Sequence, residues 1–353
     1  MLTPRPPQRY SLYDLPIAIS CDVGSLDAEI ARVLGPFNVA QFTGRSQATV
    51  GAIRPYAEAE VLRHLSPRAR RVATHDTSAE LYEDGERFWL IDDRCGMVEI
   101  NLLKSQWRAW MLPQPRVDVV RRVEMAVLWP MAQLLRARGL YLLPAASIVR
   151  NGFGLLMLSP LALGPELASM VRAGCRVVGQ RWTALREWGG HVEMLHLPGV
   201  IERPVPPRMR LVGGADTPAQ AGDRPGDNWI DLTREHCGVE LSHAPCTGVF
   251  VVSPGRRPTA HLRQLHGAET IELLRGGWPI EELHPLRRHG QLPATLAARC
   301  ACYEVALSRE PHDLLALMAA LPQRGIGAPR PEVKITIPSV ARRTAAAAAA
   351  AVA

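Results

Sequence analysis

The segment 155–167, which reads LLMLSPLALGPEL, is the part of this chain closest to a chemical site. An apolar run, a short loop and a helix-compatible stretch follow one another there, as in a phosphate-binding loop of the form GxxxxGKS/T. That form needs glycine at positions 159 and 164, lysine at 165 and serine or threonine at 166. The chain instead carries Ser159, Gly164, Pro165 and Glu166, so it keeps only one of the four positions.

The three replacements remove the chemistry of such a loop. Its lysine contacts the β- and γ-phosphates, and its hydroxyl holds Mg²⁺. Pro165 supplies neither a charge nor a backbone N–H, and Glu166 puts a negative charge at a helix N-terminus, where a phosphate would sit. Proline and glutamate both suit the first turn of a helix. The sequence therefore predicts a strand, a loop and a helix that begins near Pro165, without nucleotide binding and with no cofactor.

Hydrophobic periodicity predicts the elements that must position this segment. Apolar residues keep helical spacing over 117–138, and Gly139 is expected to stop that helix. Alternating residues predict strands over Arg87–Asp92 and Gly96–Asn101. A strand at 155–158, a helix at 166–173 and a strand at 175–178 form one βαβ unit, which predicts a partly parallel sheet covered by helices.

These elements predict four regions along the 353 residues. We expect a disordered, proline-rich arm over 1–9 and a small N-terminal domain of mixed α and β structure over 10–115. An α/β core follows over 116–323, with a mixed sheet flanked by helices. Residues 324–353 contain an alanine run and are expected to be a disordered tail.

Composition limits the classes of function. The net charge of +7 comes from scattered arginines without a basic stripe, so a nucleic-acid-binding module is the least favoured class. No run of 18 apolar residues exists, and the N-terminus has no apolar signal region, so we predict a cytoplasmic protein without a membrane span. Seven cysteines, an odd number, form no disulfide framework.

Two cysteine groups remain as weaker candidates. His236, Cys237, His243 and Cys246 lie near one another in sequence, but their spacing is unlike that of a zinc finger, so metal binding is disfavoured. Cys300 and Cys302 are too close for a CxxC redox motif, and we expect them to pack as apolar side chains.

Six short segments, in a fixed order around the loop, match a family pattern. They are Tyr10–Leu15, Gly139–Val149, Met170–Gly174, Cys175–Val178, Phe250–Val252 and Cys300–Tyr303. In this order the chain resembles the catalytic domain of HPr kinase/phosphorylase and, more closely, the HPr-kinase-related serine kinases found near peptide-modification and exopolysaccharide loci. The resemblance covers roughly residues 10–321. It implies an HPr-kinase-like core of the P-loop type and self-association into a homo-oligomer.

The resemblance also implies catalytic positions that this chain has lost. The family's histidine before the loop is Pro144, and its Ser-Asp-Asp segment is Gly179, Gln180 and Arg181. Phosphoryl transfer depends on positioning and charge neutralisation around Mg²⁺, so these losses indicate a pseudokinase that acts as a scaffold, regulator or accessory subunit of a protein partner. The alternative is an ATP-dependent serine kinase with displaced groups, whose lysine would have to be Lys104 or Lys334.

Overall fold

The chain forms two units in the computed structural model, the first ending at Leu142 and the second beginning at Leu143. The sequence assigned the helix over 117–138 to the α/β core over 116–323. In the structure the described part of that helix, 119–136, belongs to the first unit, because the boundary comes after it. The residues that the structure describes are 6–42, 48–57, 61, 63–72, 79–113, 119–159, 163–198, 201–202, 229–230, 240–276, 292–308, 310, 312–319 and 334–336.

The first unit is built on an eight-stranded sheet. Its strands are β1 (Gln8–Leu12), β2 (Leu15–Cys21), β3 (Thr49–Pro55), β4 (Arg70–Val72), β5 (Ala79–Asp84), β6 (Arg87–Asp92), β7 (Gly96–Asn101) and β8 (Gln106–Met111). They lie in the order β1-β2-β3-β8-β7-β6-β5-β4. Only the β2–β3 and β3–β8 pairs are parallel. Helix α1 (Gly24–Leu34), followed by a 3₁₀ turn (Gly35–Phe37), connects β2 to β3.

Strands β6 and β7 have the bounds that the sequence predicts, and both are central in this sheet. Their tight turn is stabilised by Asp92, whose Oδ1 accepts the backbone N–H of Arg94 at 2.8 Å. The predicted disordered arm is wrong at its end, because Gln8 and Arg9 pair with β2 as part of β1. Residues 1–5 lie outside the described residues.

The predicted long helix is present but interrupted. It consists of α2 (Val119–Val123), a π-helical turn (Glu124–Leu128) and α3 (Trp129–Arg136). Pro130 has no N–H to donate to the carbonyl of Ala126. That carbonyl instead accepts the indole N–H of Trp107 at 2.8 Å. The proline thus accounts for the break in the helix and for the partner of a buried tryptophan.

The second unit contains the remaining strands and helices. The strands are β9 (Leu140–Leu143, at the boundary), β10 (Ala145–Arg150), β11 (Phe153–Leu158), β12 (Arg176–Gly179), β13 (Thr183–Trp188), β14 (His191–Leu195), β15 (Ile201–Glu202), β16 (Trp229–Ile230), β17 (His243–Pro245), β18 (Gly248–Arg256), β19 (His261–Gln264), β20 (Ala301–Leu307) and β21 (Lys334–Thr336). The helices are α4 (Gly164–Arg172), α5 (Gly267–Gly276), α6 (Leu292–Arg299) and α7 (Asp313–Ala319).

A seven-stranded mixed sheet forms the centre of this unit, in the order β12-β10-β11-β18-β20-β19-β21. Strand β11 is parallel to β18, and β18 is parallel to β20. Strands β11 and β12 are both antiparallel to β10, which lies between them, so they run in the same direction. The predicted βαβ unit is therefore present with one strand inserted, and the chain is an α/β protein with mixed sheets.

Smaller features complete the second unit. Strands β13, β14 and β17 form an antiparallel ladder, and β15 pairs with β16. The prediction of a fully disordered tail is wrong for Lys334–Thr336, because this stretch pairs with β19 as the edge strand β21. Helices α4 and α7 share one buried core with the seven-stranded sheet, and Leu155, Met157, Leu167 and Leu314 belong to it.

Candidate functional site

The candidate site lies where β11 leads into α4, at the carboxyl end of a central strand. This is the edge at which open α/β sheets bind their ligands. Strand β11 ends at Leu158, the half-buried Ser159 follows, and α4 begins at Gly164 with Pro165 in its first turn. Gly174, with φ +82°, follows the helix. The predicted order of strand, loop and helix is thus present, while residues 160–162 lie outside the described part.

Glu166 is the central residue of the site, and it does not face solvent. Its residue surface is only 1% exposed. Its Oε1 accepts a hydrogen bond from Nη1 of Arg256 at 2.6 Å, so the two side chains form an ion pair across the helix and the end of β18. The sequence predicted that Glu166 puts a negative charge at the N-terminus of this helix, and it gave no indication of burial or of a partner. The structure shows instead a buried carboxylate that has a guanidinium partner of its own.

Arg256 connects this carboxylate to the end of the neighbouring parallel strand. Its Nη1 also donates to the backbone carbonyl of Ser308, just after β20, at 2.8 Å. The hydroxyl of Ser308 in turn donates to the carboxylate of Asp313 and accepts the backbone N–H of Glu310. The ends of α4, β18 and β20 are therefore joined by one polar chain.

A second contact joins α4 to the segment before α7. The hydroxyl of Ser169, which is buried in α4, lies 2.7 Å from Nδ1 of His312. Both polar contacts of the helix are thus made within the second unit, and they fix the first two turns of α4 against the carboxyl edge of the sheet.

The electrostatics at the N-terminus of α4 favour this arrangement. The partial positive charge at a helix N-terminus stabilises a nearby anion, and Glu166 supplies that anion from the first turn of α4 itself. The other oxygen, Oε2, is buried and has no hydrogen-bond partner within the described part of the chain. Glu166 therefore brings a carboxylate into the first turn of α4, near the helix end that attracts anions, and pairs it with Arg256.

The second group of predicted positions, Gly179, Gln180 and Arg181, lies at the end of β12. Glu166 makes no hydrogen bond or ion pair to any of the three. A Cβ atom at Gly179 would lie 2.4 Å from the hydroxyl oxygen of Thr183, so a serine does not fit there without a shift. Gln180 is buried and Arg181 is half-buried. These positions supply no carboxylate.

Hydroxyl groups, rather than acids, fill the space beside this segment. The side chains of Ser147 and Thr183 lie 2.8 Å apart, and Thr183 donates to the carbonyl of Ala145 at 2.8 Å. Pro144, where the resemblance would place a histidine, is exposed between β9 and β10. Pro144 and Gly179 therefore lie in ordinary structural surroundings.

One buried histidine lies near the end of β12, and the sequence did not identify it. His196 is only 7% exposed. Its Nδ1 lies 2.7 Å from the carbonyl oxygen of Val178 and its Nε2 lies 3.1 Å from Oε1 of Glu240. Both ring nitrogens thus contact protein oxygens, and His196 connects the end of β12 to the segment at Glu240.

The cysteine and histidine candidates do not assemble into a site in the described residues. No group of three potential metal ligands lies together there, and His236 and Cys237 fall outside the described part. Cys246, Cys300 and Cys302 are buried, as apolar packing predicts for the last two. A hydrogen bond with Cys300, together with burial, raises the pKa of Cys246 well above its usual value. No described helix has the length and apolar character needed to cross a membrane.

Comparisons with known proteins add little to this geometry. No protein-family model matches the chain, and no curated protein matches it. Among solved structures, the Hpr(Ser) kinase/phosphatase from Coxiella burnetii is similar over 50% of this chain and 85% of its own, at 10% sequence identity and a TM-score of 0.28. A similarity at this level indicates a distant relationship at most.

Proposed function

We propose that this chain is a distant, degenerate relative of the HPr-kinase-like proteins that no longer binds nucleotide at α4. The observation that carries the proposal is the ion pair between Glu166, which is buried, and Arg256, which is partly exposed. In a working phosphate-binding loop, a backbone nest, a lysine and a hydroxyl face the phosphates and Mg²⁺. Here the first turn of α4 instead carries the carboxylate of Glu166, which pairs with Arg256.

The pair opposes nucleotide binding in two ways. Coulomb repulsion between a buried carboxylate and a phosphate is strong, because the local dielectric constant is low. Moving Glu166 away to admit the phosphate would also leave Arg256 without its anion and would break the polar chain to Ser308. A nucleotide would therefore have to replace an interaction that the fold already makes within the chain.

The rival kinase hypothesis needs a lysine from elsewhere. Lys334 lies in β21, four strands away from β11 in the sheet, which is about 19 Å at the usual strand spacing. Lys104 lies in the first unit. Because Lys334 is too far away to replace the missing lysine at position 165, the kinase alternative is the weaker of the two.

A chain that does not transfer phosphoryl groups retains a function through binding. We propose that it acts in the cytoplasm as a scaffold, regulator or accessory subunit of a protein partner, and that self-association is part of this role. The described surface carries an exposed tryptophan, Trp188, at the tip of the β13–β14 hairpin, 61% exposed and stacked on Arg186. Exposed tryptophan and arginine are frequent anchors in protein interfaces.

Calorimetric titration with Mg·ATP tests the proposal. We expect no binding heat at millimolar nucleotide, with wild-type protein whose fold is checked by circular dichroism. A dissociation constant near micromolar would overturn the pseudokinase hypothesis. The matched variant E166S removes the internal carboxylate, and a weak heat that appears only in this variant would show that Glu166 is what excludes the nucleotide.

A further inference from the structure

The N-terminus of α1, in the first unit, is exposed and has no side-chain cap. Its N-cap residue, Val23, makes no capping hydrogen bond. The amide of Leu26 donates to the carbonyl of Val23 at 2.9 Å, whereas the amides of Gly24 and Ser25 have no acceptor among the described residues. Gly24 and Ser25 are both exposed, and a Cβ atom at Gly24 would meet nothing within 4 Å. Two amide donors are therefore available at an accessible helix end.

This helix end lies at the edge of the sheet that suits a ligand. Strands β2, β3 and β8 are parallel to one another, so their carboxyl ends share one edge. Helix α1 begins just after β2, at that same edge. Open α/β sheets bind ligands outside the carboxyl ends of their strands. One side chain, Arg122 of α2, connects Ser25 to the carbonyl of Leu112, the residue that follows β8.

Arg122 lies behind the helix end as a buried positive charge. It is only 5% exposed. Its Nη1 donates to the hydroxyl oxygen of Ser25 at 3.2 Å and its Nη2 to the carbonyl of Leu112 at 3.4 Å, while its Nε has no hydrogen-bond partner in the described ranges. Both partners are neutral, and Arg122 forms no ion pair with a carboxylate in the described part of the chain. Because arginine stays charged in proteins, a buried guanidinium without a counter-ion is costly.

The groups beside Arg122 do not supply the anion. The thiols of Cys21 and Cys95 lie near it, but burial raises the pKa of each to about 11, so both are neutral at pH 7. Burial also lowers the pKa of Arg122 itself. Asp27, the acidic residue in the first turn of α1, has a hydrogen bond with the thiol of Cys21. The described chain thus leaves the charge of Arg122 without a counter-ion beside two available amides.

We propose that the N-terminus of α1 binds the carboxylate of a ligand. The carboxylate accepts hydrogen bonds from the amides of Gly24 and Ser25 and from the hydroxyl of Ser25. The oxygen of that hydroxyl accepts from Arg122, so its proton is left for the ligand. Arg122 does not contact the ligand and supplies the balancing charge from behind Ser25. Helix N-termini are suited to anions of this kind.

The charges around the site favour a carboxylate over a phosphate. A carboxylate carries one negative charge, which matches the single charge of Arg122, whereas a phosphate monoester carries nearly two at neutral pH. Asp22 directly precedes the N-cap residue and Asp27 lies in the first turn, so a second charge on the ligand would be repelled. The proposal rests on the first unit alone and is independent of nucleotide binding at α4.

Titration calorimetry of the full chain with acetate and with glycerol 3-phosphate, at neutral pH and equal ionic strength, tests the proposal. We expect acetate to bind with a dissociation constant of about 1 mM, the affinity that two charge-assisted hydrogen bonds give. Glycerol 3-phosphate should bind more weakly. Hydrogen exchange should slow at the start of α1 when acetate is added. Absence of acetate binding, or tighter binding of glycerol 3-phosphate, would overturn the proposal.

Variants of the site locate the binding. S25A removes an exposed hydroxyl and should weaken acetate binding about tenfold, the value of one charge-assisted hydrogen bond. R122M should weaken it at least as much. The matched control is R121M, because Arg121 is the adjacent arginine on α2 and pairs with Glu124; it should change the affinity by less than about twofold. An equal loss in R121M and R122M would contradict the proposal.

A further variant keeps the test independent of the folding of R122M. Val23 has the extended backbone of an N-cap residue, so V23D would place an internal carboxylate on the free amides of α1. This variant should melt at a higher temperature than the wild type and should no longer bind acetate. Acetate binding that survives in V23D with unchanged affinity would show that the anion lies elsewhere and would overturn the proposal.

Discussion

Replacing Arg256 with methionine should destabilise the second unit by about 3 kcal/mol, the lower end of the cost of breaking a buried ion pair. The lower end applies because the Arg256 side chain is 29% exposed while that of Glu166 is 1% exposed, so water partly solvates the arginine side. R256M removes the 2.6 Å contact to Glu166 and the 2.8 Å contact to the carbonyl of Ser308. It leaves a charged carboxylate buried without a cation.

A double-mutant cycle separates the pair from the loss of arginine itself. Replacing both members with apolar residues of similar size is often close to neutral, so R256M/E166L should recover most of the stability that R256M loses. The coupling energy between the two positions should be about 2 kcal/mol, within the range measured for residues in direct contact. The matched control is R257M, because Arg257 is the adjacent, exposed arginine and should change stability by less than about 0.5 kcal/mol.

Urea unfolding gives the free energies, and hydrogen exchange of peptides from α4 shows whether the loss falls on the second unit. An R256M variant within about 0.5 kcal/mol of wild type would refute the reasoning, since surface substitutions alone have effects of that size. A coupling energy near zero would refute it as well, because the two side chains would then act independently.

The remaining predictions concern other parts of the fold. P165K/E166S should restore weak nucleotide binding in calorimetry but no phosphoryl transfer to serine, because no acid lies at 179–181; efficient transfer would contradict our account of the lost groups. W107F should lower the free energy of unfolding in urea by about 1–3 kcal/mol, because the Ala126 carbonyl loses the indole N–H that donates to it. The loss should be larger than that in W110F, because the indole N–H of Trp110 has no hydrogen-bond partner in the described chain. Burial raises the pKa of Cys21, Cys95 and Cys175 to about 11, so few thiolates exist at neutral pH. A C237S variant should therefore show no fast thiol labelling until it is unfolded, and a fast-reacting thiol would contradict this.

The parts of the fold that local sequence determines were predictable. The bounds of strands β6 and β7 followed from short apolar runs between polar turn residues, although β7 is buried along nearly its whole length and does not alternate between buried and exposed positions. The helix at Gly164 followed from Pro165 and Glu166, which suit a first turn. The π-helical turn before Trp129 did not follow in detail, because helical periodicity does not show that the Ala126 carbonyl, left without a donor by Pro130, accepts the indole N–H of Trp107, nineteen positions earlier.

Only part of the candidate site was predictable, because contacts between residues far apart in sequence determine the rest. Glu166 was found from its position in a loop motif, but its partner Arg256 lies ninety residues later, and nothing local to Arg256 marks it. The burial of His196 depends on Glu240 and on the carbonyl of Val178, which only the folded sheet brings together. The edge strand Lys334–Thr336 was missed because it is short and flanked by proline and arginine residues, and its pairing is set by β19.

Hydrogen exchange of the segment 153–172, measured with and without millimolar Mg·ATP, tests the central claim most directly. A nucleotide bound at this helix N-terminus would have to contact the backbone amides of its first turn, and their exchange would slow. Because Glu166 adds a carboxylate paired with Arg256 to this first turn, we predict that exchange over β11 and the first turn of α4 is unchanged by the nucleotide. Protection confined to this segment would contradict the account, since it would show that phosphate binds where the internal carboxylate lies.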